Sequence, residues 1–161
     1  PTCSIVYENE PMEKNTMLQK PRKLTDTFLN WKELSISIIQ GLVIAVGVLF
    51  AYQYSLHLGN NENFTRTMVF TTLIFANIFL SLVNRSFVYS VFDSLKNKNN
   101  LFPLVIGITL VLLFSIIYIP VFASFFQVTQ IGLAEIGISF FIAAVSVLWF
   151  EVYKWVKRCN V

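Results

Sequence analysis

Charge is scarce in this sequence. Asp, Glu, Lys and Arg together make up 13% of the chain, against roughly 25% in soluble domains, so a water-exposed exterior is not what the sequence is built for. Histidine occurs once, as His57, with no Ser, Cys or carboxylate around it in a nucleophilic arrangement; it reads as an exposed loop residue. The two cysteines, Cys3 and Cys159, have no metal-site spacing, and no disulfide is expected between them in a reducing compartment. A glycine-rich phosphate loop is lacking, and no carboxylate falls deep within an apolar run. These absences leave an enzyme active site on this chain with almost no titratable groups. Basic clusters interleaved with aromatics are absent too, which rejects nucleic acid as a partner.

Hydrophobic residues fill the space, at 55% of the chain. They gather into four runs, residues 34–56, 67–89, 101–120 and 134–152, each near the ~20 residues that a helix needs to cross a bilayer core. Eleven of the 12 Lys and Arg lie before the first run, around the second connection or after the fourth; Arg66 alone falls on the other side. Cytoplasmic loops collect Lys and Arg, so the pattern predicts four crossings with both termini cytoplasmic, and the net charge of +3 reads as topology. The fold class follows: an all-α membrane protein, a four-transmembrane-helix bundle over residues 27–161 preceded by a cytoplasmic loop segment, 1–26.

The 16 Phe suit lipid contact and helix packing, while Trp31, Trp149, Tyr153 and Trp155 stand near span ends, where amphipathic rings favour the headgroup zone. Small residues four apart, Gly41 with Ala45, Gly47 with Ala51 and Ser139 with Ala143, mark expected packing faces. Thr27 or Asn30 is the expected cap of the first helix. The connection of residues 121–133 carries no charge and is expected at the outer interface. The chain opens at Pro1 in a polar stretch without an initiator Met, which reads as a piece of a longer polypeptide.

Asn77 is the candidate of most interest. A carboxamide inside a membrane must find partners, because lipid offers none. Ser81 and Asn84 follow on the same face, with Arg66 at its outer end. Two readings stand: hydrogen bonding to a neighbouring helix, and a place beside an ion site. Asn84 and Arg85 close the span, where Arg snorkels to headgroups. Glu151 and Lys154, three apart, are spaced to pair along the last helix. Asn63-Phe64-Thr65 matches a glycosylation acceptor, a weak motif, and Glu135 sits where a helix N-terminus favours an acid.

Several short stretches, in order, resemble the C-terminal membrane region of P-type cation-transporting ATPases, of the calcium-pump-like branch. Thr2-Cys3-Ser4-Ile5-Val6-Tyr7-Glu8-Asn9-Glu10-Pro11 is similar to the cytoplasmic loop between the sixth and seventh membrane helices of those pumps. Met17-Leu18-Gln19-Lys20-Pro21-Arg22 resembles their M-x-R-P-P-R stretch, with Gln19 and Lys20 in place of its first Arg and first Pro. Arg66 to Leu73 resembles the opening of the eighth helix, and Asn84-Arg85-Ser86 a shortened form of its ending. Tyr118-Ile119-Pro120 looks like the Y-x-P turn after the ninth helix, and Glu151-Val152-Tyr153-Lys154 like the E-x-x-K ending of the tenth.

The resemblance implies that the chain supplies helices seven to ten of an ATP-driven cation pump, bracing the ion-translocating helices. Its partners would be the upstream membrane helices, the phosphorylation domain, the lipid bilayer and the transported cation. ATP and Mg²⁺ would belong to the parent pump, with no cofactor on this chain. Asn77 matches a position of the eighth helix that can place a cation ligand, Glu in calcium pumps; an amide adds an oxygen without charge. The loop with Glu8, Glu10 and Arg22 would relay motion from the phosphorylation domain. The competing class is a free-standing four-span membrane anchor or interaction protein; a small oligomeric channel would need a polar stripe that only the second span offers.

Overall fold

The computed structural model describes residues 31–84 and 101–159. These form α1 (Trp31–His57), α2 (Glu62–Val83), α3 (Leu101–Tyr118), the short α4 (Pro120–Phe126) and α5 (Leu133–Cys159). Among the described residues there is no strand. Four of the helices are long and apolar enough to cross a membrane, as expected of runs whose backbone groups must be satisfied without water.

The ends have local causes. Gly59, at φ +70°, takes the left-handed conformation that closes α1. Asn61 is extended and opens α2, so this helix starts a turn or more before residue 67. Its last helical residue is Val83, with the Asn84 N–H donating to Leu80 O at 2.9 Å; residues 85–89 of the expected second run lie outside the described residues, as do Thr27 and Asn30. Pro120 ends α3 at Tyr118, two residues before the expected limit. It holds Ile119 extended (φ −86°, ψ 118°) and starts α4 at its own first turn. α4 stops at Gln127, a left-handed residue (φ 53°), with Val128 N–H donating to Ala123 O at 3.0 Å, the wrap of a Schellman motif. α5 runs on to Cys159, beyond the apolar limit at residue 152.

α2, α5 and α1 pack against one another, while α3 packs on α2 and carries α4. α2 buries Met68, Thr71, Thr72, Phe75 and Ala76, and the core continues through Leu113 and Ile117 of α3 and Ala143, Val147 and Phe150 of α5. Phe140 of α5 meets Phe75 and Phe79 edge-on, at 5.4 Å and 5.0 Å between centroids. Ser139 and Ala143 are fully buried, so the small-residue face of the last helix packs as expected. Gly47 does the same: a Cβ there would land on the Ser146 hydroxyl of α5, and Ala51, a turn later, is fully buried. The Gly41–Ala45 step faces outward instead, with nothing within 4 Å of a Cβ at Gly41. The two steps lie six residues apart, about 120° round the helix at 3.6 residues per turn, so one neighbour cannot receive both. Among the described residues the buried Nε1 of Trp149 has no partner, and its ring leans edge-on against Phe150 at 5.9 Å.

Candidate functional site

α2 separates its polar groups by type. At about 100° per residue, positions 66, 70, 73, 77, 81 and 84 share one face, opposite the buried face of Met68 and Phe75. The structure leaves Asn77 and Leu73 exposed there. Asn77 Nδ2 donates to Leu73 O at 3.0 Å, one turn back, and Ser81 Oγ donates to Asn77 O at 2.9 Å. Among the described residues, Asn77 Oδ1 meets no donor. The carboxamide is thus tethered at its nitrogen and open at its oxygen, the atom a cation or a donor on another helix would seek.

Asn84 lies on the same face but is already engaged. Its Oδ1 accepts from Nε2 of Gln40 at 3.2 Å, an amide of α1 that is 5% exposed. The two asparagines that the sequence sets in one stripe therefore differ: Asn84 ties α2 to α1, and Asn77 points away from the bundle. With α2 ending at Val83, Asn77 lies in its C-terminal third, about 9 Å before the end at 1.5 Å per residue.

At the other end of the stripe, Arg66 Nη1 donates to Gln127 Oε1 at 2.6 Å, and Nη2 pairs with Glu62 at 3.1 Å. One turn of α2 is so bound to the residue that ends α4. The Thr129 N–H adds a bond to Thr67 Oγ1 at 2.9 Å, and Tyr118 OH donates to Ile131 O at 3.1 Å. Ser55 and Thr65, both buried, share a hydrogen bond at 2.9 Å that joins the ends of α1 and α2. The Asn63-Phe64-Thr65 motif therefore lies inside a helix with its threonine enclosed. Gln40, Gln127 and the Ser55–Thr65 pair were not among the residues that sequence reasoning selected; for Gln40 the signal was an amide inside an apolar span, a signal it shares with Gln53.

Glu151 is half-buried near the end of α5, three residues before Lys154. The side chain of Lys154 lies outside the described residues, as do Arg85, Glu8, Glu10 and Arg22. Glu135 occupies the first turn of α5, with its carboxylate folded back over Gly132. Among the described residues there is no cluster of three or more His, Cys, Asp or Glu able to hold a metal ion.

These features define a class: a helical integral membrane bundle, multi-pass, with one helix turning a carboxamide outward. The chain belongs to the family of cation transporting ATPase C-termini, whose family profile matches residues 1–156. It is 27% identical over 153 residues to Calcium-transporting ATPase 1 of Saccharomyces cerevisiae, covering 94% of this chain and 16% of that protein. Over 150 residues it is 27% identical to Calcium-transporting ATPase 1 of Schizosaccharomyces pombe, covering 92% and 17%. Human Calcium-transporting ATPase type 2C member 1 is 24% identical over 149 residues, covering 92% and 16%. The chain thus spans about a sixth of the length of these relatives. The free-standing anchor reading loses its ground to this match.

Proposed function

We propose that this chain acts as the C-terminal membrane portion of an ATP-driven calcium pump, a packed reference against which the ion-translocating helices move. The relatives' names support calcium as the cargo. Alternating access needs some helices to hold still while others shift, and a bundle in which α1, α2 and α5 pack together, with Gln40–Asn84 and Ser55–Thr65 bonds joining α1 to α2, suits that part. Both termini lie on the cytoplasmic side in this reading, supported by the placement of 11 of 12 basic residues. ATP and Mg²⁺ act on upstream parts of the polypeptide, and the loop with Glu8, Glu10 and Arg22 conveys motion from the phosphorylation domain.

The observation that carries the reading is the open Oδ1 of Asn77 on the outward face of α2. In this reading upstream helices cover that face, and the carboxamide oxygen either ligates calcium or orients a ligand. The test compares two variants of the complete pump. Asn77→Ala is expected to raise the calcium concentration for half-maximal ATPase activity, by roughly two- to twelvefold for a neutral contact of about 0.5–1.5 kcal/mol. Asn84→Ala, which breaks the bond to Gln40, is expected to lower thermal stability and leave that concentration unchanged. Equal effects of the two on apparent calcium affinity would overturn a role for Asn77 beside the ion.

A further inference from the structure

The connection from α3 to α5 carries a surface that neither the bundle nor the pumping role accounts for. From residue 101 to residue 134 the sequence contains no Asp, Glu, Lys or Arg. Within it, α4 turns Val121 and Phe125, one helical turn apart, outward at 73% and 79% exposure, with Phe122 and Phe126 at 45% beside them. Phe125 and Phe126 pack edge-to-face at 5.1 Å, so the patch is a formed aromatic surface. Its other side is fixed: Val128 and Ile131 are buried, and three hydrogen bonds, from Arg66 to Gln127, from Thr129 to Thr67 and from Tyr118 to Ile131, fasten the connection to α2 and α3.

Two observations name the occupant of the open side. α4 leaves α3 at Tyr118 with one intervening residue, so it starts at the level where a span ends. Apolar exposure also runs along the chain into it: Val111, Leu112, Phe114, Tyr118 and Ile119 are exposed on the way from α3. We propose that α4 is an interfacial foot: Val121 and Phe125 enter the headgroup–acyl boundary on the side of the α2 N-terminus, and lipid covers them. The Arg66–Gln127 bond holds the foot at its angle, and the foot sets the depth of α3, whose buried residues are Phe102, Leu113 and Ile117. The patch has no charge, so it takes zwitterionic and anionic lipid alike. This inference needs the membrane spans but not the calcium assignment.

The test places an encoded fluorescent amino acid at position 125 of the complete protein in phosphatidylcholine vesicles, at position 121 in a second variant and at position 61 as reference. All three side chains are exposed, and Asn61 makes no side-chain capping bond. Quenchers attached high on the acyl chain, quenchers deep on the chain and aqueous iodide are compared. At positions 125 and 121 the shallow lipid quencher is expected to act several-fold more strongly than iodide, matching burial of about 5–10 Å into the boundary, and position 61 should show the reverse. Adding anionic lipid should leave the depth unchanged. Iodide quenching at position 125 equal to that at position 61 would overturn the proposal in favour of a solvent loop. Protection of position 125 from both lipid and aqueous quenchers would overturn it in favour of a protein cover.

Discussion

Replacing Gly47 by alanine tests the packing of the bundle at its closest approach. In most helices this change stabilises by up to about 1 kcal/mol, because glycine gives up more backbone freedom on folding. Gly41, on the same helix, has open space where a Cβ would sit, with no atom within 4 Å, and no positive φ, so Gly41→Ala should show that ordinary gain. At Gly47 the added Cβ would fall on Ser146 Oγ and 3.0 Å from Ser146 Cβ. Ser146 cannot simply swing clear, since its Cβ is fixed by α5 and its hydroxyl already donates to Ile142 O at 2.8 Å. α1 and α5 must separate instead, and overpacking of this kind costs about 1–3 kcal/mol, or roughly 5- to 140-fold in the unfolding equilibrium. The two glycine substitutions should therefore shift stability in opposite directions. Ser146→Gly removes both offending atoms and should recover most of the loss in the double variant, beyond its own helix penalty of about 0.5 kcal/mol. Reversible unfolding in bicelles, followed by steric trapping, measures all four species. A Gly47→Ala variant stabilised as Gly41→Ala is, or additive effects of the Gly47 and Ser146 changes, would refute a close contact between α1 and α5 at this point.

Other contacts give shorter tests. Ser55→Ala leaves the buried Thr65 hydroxyl without its partner and should cost about 0.6–1.7 kcal/mol in the same unfolding assay, with much of that recovered in Ser55→Ala/Thr65→Val. Ser139→Ala removes a buried hydroxyl that has no partner among the described residues and should be neutral or stabilising by up to about 1 kcal/mol; a clear loss would mean that the hydroxyl is bonded. Arg66→Ala releases Gln127, and amide exchange at Gln127 to Thr129 should quicken while exchange in the middle of α5 stays as it was. Tyr118→Phe, which deletes the bond to Ile131 O, should loosen the same connection at a cost of about 1 kcal/mol.

The four spans were legible because hydropathy and length alone decide whether a segment can cross a bilayer. The small-residue steps were legible only in part. Spacing identifies Gly41–Ala45 and Gly47–Ala51 equally, and only the neighbours' positions make one step a contact and leave the other outside. The polar stripe on α2 was also visible from spacing, yet spacing could not tell Asn77 from Asn84. That difference is made by Gln40, 44 residues upstream of Asn84 and on another helix, a pairing no local pattern encodes. α4 was hidden for a related reason: a chargeless connection opening with proline reads as an irregular loop, and its helix depends on the left-handed Gln127 and on Arg66 beyond it.

The division of polar groups on α2 has a physical cause that bears on what surrounds the bundle. Thr67 and Thr72 donate to carbonyls one turn back, at 2.8 Å each, so a hydroxyl can satisfy its proton within its own helix and be buried at little cost. A carboxamide cannot do this fully. It has two donors and an acceptor, and at Asn77 the helix takes a single donor. The remaining N–H and the oxygen would each face a penalty of kcal/mol order in hydrocarbon, whereas Leu42, Val46 and Phe50 on the outward face of α1 carry no such demand. Two outward surfaces therefore differ in kind: one that lipid can cover, and one on α2 that requires water, a polar helix or an ion. A bundle meant to stand alone in lipid would gain from Leu at position 77. An Asn there fits a bundle whose second helix has a further partner, and on the proposed assignment that partner is the set of helices through which calcium moves.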